Sequence, residues 1–262
     1  ALKSNRSPIV WFHAASLGEF EQGLPIMEAY KIKYPKQKIL VTFFSPSGYQ
    51  HRKDHPIADY TAYLPWDTKT NAEKFIAVVK PHKAFFIKYE FWFFLLQQVH
   101  QQDIPLYSIS ARFVKGQTFF RSYGSLHRKM LTYFNHIFVQ NESSQDLLNS
   151  IHIKNVSVSG DTRFDNVMDK ASTVAPIDQI KKFKGDNELL IIGSAWKEDL
   201  EVLKPFLNSL PDKLKVLIAP HDIDETNIKS IVKPLSLPYC LFSDKEICKK
   251  RIMILDTIGH LF

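Results

Sequence analysis

Short apolar runs alternate with helix-period segments from one end of this chain to the other. In the first part, β-type runs fall at Val10–His13, Lys38–Phe44, Thr61–Leu64, Ala84–Lys88, Leu106–Ser110, His136–Gln140 and Val156–Ser159. Segments with an apolar helical face lie between them, near Leu24–Lys33, Pro46–Lys53, Thr70–Val79, Phe91–Gln101, Gly124–Tyr133 and Ser143–Ser150. Strands that alternate with helices predict a parallel sheet covered on both faces, a doubly wound α/β domain over residues 1–165. Residues 166–187 are polar and lysine-rich, and read as an interdomain segment with a helix inside it.

The pattern then restarts over 188–262. Glu188–Ile192 reads as a buried-type strand, Gly193-Ser194-Ala195 as a tight turn and Trp196–Leu210 as an amphipathic helix. Lys215–Ala219, Tyr239–Phe242 and Arg251–Leu255 are further strands, with a helix at Asp224–Val232. Two Rossmann-like domains are therefore expected. The second carries few strands and stops as a new turn begins at Asp256, so it is expected to be incomplete in this chain.

The first strand runs into Ala-Ala-Ser16-Leu-Gly18-Glu19. A carboxylate on a small-residue turn at the carboxyl end of a strand sits where open α/β sheets bind their ligands. Glu19 is thus the first candidate for a general base, against the plainer reading of an acid favoured by a helix dipole. Lys88-Tyr-Glu90 ends another strand in the same way, just before an aromatic helix, and Ser110-Ala-Arg112 offers a cation at the end of the next. In the second half, Gly193-Ser194, Pro220-His221 and Ile258-Gly259 end successive strands, the layout of a nucleotide pocket built on helix N-termini.

Composition narrows the partners. The 262 residues, 45% apolar and 23% charged, are those of a folded globular protein. No apolar run is long enough to span a bilayer, and residues 1–8 are too polar for a signal peptide. Cys240 and Cys248 form neither a disulfide framework nor a zinc spacing, which favours reduced thiols. No His-Glu-x-x-His pattern is present, so no metal site is expected. The net charge of +7 is unevenly placed: residues 1–170 hold 21 Lys+Arg against 14 Asp+Glu, and 171–262 hold 13 of each. No acid occurs between Asp103 and Glu142, where Arg112, Lys115, Arg121, Arg128 and Lys129 mix with aromatics. Such a surface suits an anionic membrane, a phosphorylated lipid or nucleic acid, unless it is simply a solvated basic face.

Taken together, Trp11-Phe-His-Ala-Ala-Ser-Leu-Gly-Glu19, Ser45-Pro-Ser-Gly48, Tyr63-Leu-Pro-Trp-Asp67, Glu90-x-Trp92, Ser110-Ala-Arg112, Gly160-Asp-x-x-Phe-Asp165, Gly193-Ser194 and Asp256-Thr-x-Gly259 resemble the ordered motifs of 3-deoxy-D-manno-oct-2-ulosonic acid (Kdo) transferases. The resemblance covers essentially the whole chain. It implies a GT-B glycosyltransferase with an acceptor domain first and a CMP-Kdo domain second, moving Kdo onto a hydroxyl of a lipid A precursor by inversion and without a metal or other cofactor. Glu19 would match the general base, Glu90 a second acid that assists the transition state, and Arg163 a cation that is usually lysine. Gly193, Ser194, Pro220, His221, Ile258 and Gly259 would match donor-binding positions, and Ser16, Gly18, Ser45 and Arg112 acceptor-binding ones. His221 stands where the family has arginine, and Ile258-Gly259-His260 where it has Met-Gly-Glu.

The family's later Gly-Gly-His-Asn segment and its usual N-terminal anchor are absent from the chain, so this piece is expected to be inactive by itself. The resemblance further implies work at an anionic membrane, the cytoplasmic face of the bacterial inner membrane, with no nucleic acid partner. The alternatives are another GT-B enzyme, a UDP-sugar epimerase or hexosyltransferase, or a basic binding module for nucleic acid or membrane surfaces.

Overall fold

The computed structural model describes residues 7–173, 176–244 and 249–257, with side chains described throughout except at 166 and 169–173. The chain divides into two compact units, Ala1–Asp169 and Lys170–Phe262.

The first unit holds β1 (Ile9–His13), α1 (Leu17–Lys33), β2 (Lys38–Phe43), α2 (Pro46–Arg52), β3 (Tyr60–Tyr63), α3 (Lys69–Val79) and β4 (Pro81–Ile87). It continues through α4 (Phe93–Gln101), β5 (Leu106–Ala111), α5 (Ser125–Leu131), β6 (His136–Val139), α6 (Glu142–Ser150) and β7 (Val156–Val158). Helix α7 (Thr162–Thr173) leads out of the unit. The seven strands form one sheet in the order β3-β2-β1-β4-β5-β6-β7, with every pairing parallel.

Why β1 is buried at all five positions follows from its central place. Alternate side chains point to opposite faces, and helices cover both. Trp11 therefore packs with Leu40, Phe86 and Leu95 on one face, while Val10 and Phe12 pack with Val41, Met27 and Ile109 on the other. The chain runs outward from β1 to β3, then returns to the other side of β1 with β4. The crevice outside the carboxyl ends of β1 and β4 is thus the switch point where such sheets place ligands.

The second unit holds α8 (Asp178–Lys184), β8 (Glu188–Ala195), α9 (Lys197–Leu207), β9 (Leu214–Pro220), α10 (Glu225–Val232), β10 (Tyr239–Leu241) and β11 (Ile252–Ile254). Its strands are all parallel in the order β10-β11-β9-β8. Helix α8 lies in the segment read as a linker. It buries Phe183 against Leu217, Met253 and Leu255 and so packs onto the second sheet.

Three details depart from the sequence reading. Helix α1 starts at Leu17 and not Leu24, because Ser16 and Glu19 form a capping box that nucleates it early. Gly193-Ser194 is no turn between elements but an irregular end of β8, where the pairing register shifts between Ile192 and Ala195 and Ser194 takes a left-handed backbone (φ 51°). Cys240 is disulfide-bonded, against the expectation of a reduced thiol; Cys248 lies outside the described residues.

Candidate active site

Three strand ends of the first sheet build the crevice. At the end of β1 the chain passes through Ala14 and Ala15 to Ser16, the N-cap of α1. The Ser16 hydroxyl accepts from the Glu19 N–H (3.4 Å). Oε2 of Glu19 turns back and accepts from the Ala15 N–H (2.6 Å) and the Ser16 N–H (3.2 Å). Two such donors pull a carboxyl pKa down, yet the Glu19 pKa is raised to about 7. Burial is the larger cause, and the Glu90 charge adds to it; the amides of Ala15 and Ser16 and the Lys88 ammonium oppose them. Glu19 is therefore both the helix-start acid of the plainer reading and a half-buried carboxyl poised near neutrality.

At the end of β4, Lys88 takes a left-handed backbone (φ 63°) and Tyr89 and Glu90 follow. Strain of this kind at a strand end is held by its surroundings. Here the Lys88 N–H donates to the Ile109 carbonyl (2.9 Å). Oε2 of Glu90 accepts from the indole N–H of Trp92 (2.7 Å) and lies 3.1 Å from Nε2 of the fully buried His13. Nδ1 of His13 lies 2.9 Å from the Thr42 hydroxyl, which accepts from the Trp11 indole (2.7 Å). Beside Trp92, Phe44 and Trp66 continue an aromatic wall, with Trp66 73% exposed.

At the end of β5, Ser110 is buried with φ 54° and the exposed Arg112 follows. Arg112 and Arg163 both act electrostatically on Tyr89, whose pKa is raised by burial in spite of them. Arg163 is held by a forked ion pair to Asp161, with Nη2 2.5 Å from Oδ2, and its own side chain is 61% exposed. Asp161 is in turn fixed to α1 by the Gln22 amide (3.0 Å), and the neighbouring Thr162 hydroxyl donates to the Gln22 carbonyl (2.6 Å).

A family model of 3-deoxy-D-manno-octulosonic-acid transferase (kdotransferase) matches residues 1–166, more than half of the chain. The chain belongs to the Kdo transferase family.

Curated relatives agree with that placement along the chain. A 3-deoxy-D-manno-octulosonic acid transferase of Chlamydophila psittaci is 24% identical over 97% of this chain and 60% of its own length. The one of Haemophilus influenzae is 22% identical over 96% and 61%, and that of Aquifex aeolicus 26% over 84% and 56%. The chain thus spans about 60% of the length of the curated relatives it matches. Among solved structures, the UDP-GlcNAc 2-epimerase of Neisseria meningitidis bound to UDP-GlcNAc aligns with a TM-score of 0.65 at 16% identity, over 96% of this chain and 73% of that one. Acinetobacter baumannii MurG aligns with a TM-score of 0.54 at 12% identity, over 96% and 67%. These likenesses carry the fold alone, which is GT-B.

In this chain the first unit brings Ser16, Gly18, Glu19 and Glu90 to one crevice, with Ser45 beside them, its N–H on the Ala15 carbonyl (2.7 Å). Arg112 and Arg163 both act electrostatically on Tyr89. Gly18 is exposed in the first turn of α1 and not in a turn before it. In the second unit, Ser194 and His221 share one sheet edge: the His221 N–H donates to the Ala195 carbonyl (3.0 Å), Ala195 pairs with the buried Pro220, and the His221 ring stacks on Trp196 at 4.0 Å. Gly193 is exposed in the same strand end. Ile258 and Gly259 lie outside the described residues.

Sequence reasoning passed over His13, Thr42 and Lys88 as parts of the site. His13 stood in the quoted motif, and its polarity inside an all-apolar strand was the available signal. Among the described residues, no group of three or more His, Cys, Asp or Glu could hold a metal ion, and no helix is long and apolar enough to cross a membrane. A surface cleft lined by Glu73, Ile76, Lys80, Pro81, Gln98 and Ile104 opens at the amino-terminal end of β4, away from this crevice.

Proposed function

We propose that this protein transfers Kdo from CMP-Kdo to a hydroxyl of a lipid A precursor with inversion, Glu19 acting as general base. The observation that carries this reading is the Glu19 carboxyl, held near 7 at the switch point of the first sheet with a second carboxylate, Glu90, beside it. A sugar alcohol is a poor nucleophile until its proton is taken, and a base tuned near the working pH gives about 10²–10⁴-fold. In the step, the acceptor hydroxyl loses its proton to Glu19. Its oxygen bonds the anomeric carbon of Kdo, and the bond from that carbon to the CMP phosphate oxygen breaks, the electron pair leaving with CMP.

Charge develops at two places. Glu90 would steady positive charge on the reacting sugar, and Arg163 would take up negative charge on the leaving phosphate. Ser16, Gly18, Ser45 and Arg112 would face the acceptor. Gly193, Ser194, Pro220 and His221, with Ile258 and Gly259, would serve the donor nucleotide, CMP-Kdo being the substrate and no further cofactor being needed. The acid-free stretch between Asp103 and Glu142 suits phosphates on a lipid in the anionic cytoplasmic leaflet of a bacterial inner membrane.

The test is transfer by the full-length protein with CMP-Kdo and a tetraacylated lipid A precursor, run beside UDP-sugars. Transfer from CMP-Kdo alone, abolished in Glu19→Ala with CMP-Kdo binding kept, is expected. Wild-type-like turnover by Glu19→Ala removes the carboxylate from the mechanism, and transfer only from a UDP-sugar removes the donor.

A further inference from the structure

His13 ends β1 with a fully buried ring among the aromatic side chains of Phe86 and Trp92. A buried imidazole is costly unless both nitrogens are satisfied, and here both have partners. The carboxylate fixes the roles: its oxygens only accept, so Nε2, the imidazole nitrogen 3.1 Å from Oε2 of Glu90, is the one that carries a proton. The Thr42 hydroxyl already accepts from the Trp11 indole, so its own proton is available for Nδ1 of His13 at 2.9 Å. The carbonyl of Thr42, 3.1 Å from the same nitrogen, already accepts the Ala14 N–H (3.0 Å). With the Nε2 proton directed at Oε2 of Glu90, Nδ1 of the neutral ring accepts from the Thr42 hydroxyl. Trp92 donates to that same oxygen, so two fixed donors hold one side of the carboxylate. Oε1 takes no hydrogen bond from the described residues.

We propose that His13 is a positioning residue, its Nε2–H set by Thr42 and holding the Glu90 carboxylate in place beside Glu19. The inference rests on the reading of Glu90 as part of the transfer machinery. A histidine that merely filled the core would need no donor aimed at a carboxylate from a residue 77 positions away. Trp11 and Thr42 form the far end of the same chain of hydrogen bonds, so the orientation is set from inside the sheet.

Two measurements on the full-length protein test this. Nitrogen-15 NMR of the wild-type imidazole reads which nitrogen carries the proton: a protonated Nε2 is expected, and a bare Nε2 with the proton on Nδ1 overturns the inference. In transfer assays, His13→Leu is expected to lower kcat by about 10–100-fold, the loss common when an outer partner of a functional ligand is removed, with KM for the donor unchanged. His13→Gln, which restores an N–H toward Glu90, is expected to recover most of it. Full kcat in a folded His13→Leu, while Glu19→Ala is inactive, overturns the inference and leaves the proposed transfer standing. Equal losses in the Leu and Gln variants also overturn it, since packing would then be the cause.

Discussion

Glu19 and Glu90 leave the carboxyl ends of neighbouring strands, and the charge on Glu90 helps burial hold the Glu19 carboxyl up to about 7. A negative charge at Glu90 disfavours a second one at Glu19, which is why it adds to the effect of burial. If Glu19 is the base, transfer rises with pH through a midpoint near 7. Glu90→Gln removes one cause of the elevation and is expected to move that midpoint down while lowering kcat. A pH profile of kcat for the two proteins checks this, and an unmoved midpoint separates the carboxylates.

The same elevation has a consequence for stability. A carboxyl whose pKa is raised in the folded state binds its proton more tightly there than in the unfolded chain. Stability contributed by protonated Glu19 is present below pH 4.5 and is lost as pH rises from there to about 7, beyond which the penalty is constant. Glu19→Gln escapes it. Allowing for the partial exposure of the side chain, the variant is expected to gain about 1–2 kcal/mol on wild type between pH 5 and pH 8. Urea melts at the two pH values give the difference, and parallel changes in the two proteins would contradict it.

Asp161 works in the opposite sense. The Arg163 fork holds its pKa down to about 2, from 3.8 in an unfolded chain. That stability is present above pH 3.8 and fades as pH falls toward 2. Because Arg163 is largely exposed, screening limits the pair, and Asp161→Asn is expected to cost about 1 kcal/mol at pH 7. The deficit should close in acid melts between pH 4 and pH 2; a deficit that persists there points to the Gln22 contact instead.

Much of this arrangement is legible in the amino-acid sequence. Strand alternation located every described strand of both sheets to within a few residues. Central strands such as β1 and β2 are buried on both faces and leave apolar runs, whereas β8, read as a buried-type strand, is exposed at most of its positions although its sequence is as apolar. Glu19, Glu90 and Arg112 stood out because each follows such a run. What stayed hidden depends on contacts between distant segments. The bond from His13 to Glu90 needs β1 and β4 to be neighbours, which only the strand order supplies. The early start of α1 was masked by Ala-Ala-Ser-Leu-Gly, whose small residues read as a turn although Ser16 and Glu19 carry the capping spacing. The locked state of Arg163 was legible in principle, since its partner is two residues away.

Gly48 shows why the Ser45-Pro-Ser-Gly48 segment lies so close to the Glu19 turn. A Cβ there would lie 2.3 Å from Cδ1 of Phe43 and 3.1 Å from the Ser16 carbonyl carbon. Only a bare backbone lets α2 sit against both. Gly48→Ala is expected to cost about 1–3 kcal/mol by overpacking. It should also lower transfer, because the Ser45 N–H is bonded to the Ala15 carbonyl beside Glu19. Denaturant midpoints and kcat on one preparation check both effects, and wild-type stability would mean that Phe43 yields freely.

Helix α4 needs help from outside itself, since its N-cap residue, Trp92, makes no side-chain cap bond. Asp67 supplies it: its Oδ2 accepts from the Phe94 N–H (3.1 Å) and its Oδ1 from the Leu95 N–H (3.0 Å). An anion at a helix start also meets the positive end of the dipole. The loop that carries Asp67 is itself pinned, since the next residue, Thr68, caps α3. One short loop therefore starts two helices and fixes the position of Trp92, whose indole holds Glu90. Asp67→Ala is expected to cost about 1–2 kcal/mol and to speed amide exchange at Phe94 and Leu95 before the rest of α4. Asp67→Asn keeps acceptor capacity on one atom only and should fall between. If exchange at those two amides is unchanged in Asp67→Ala, water replaces the carboxylate without loss and the loop is not what sets the angle of α4.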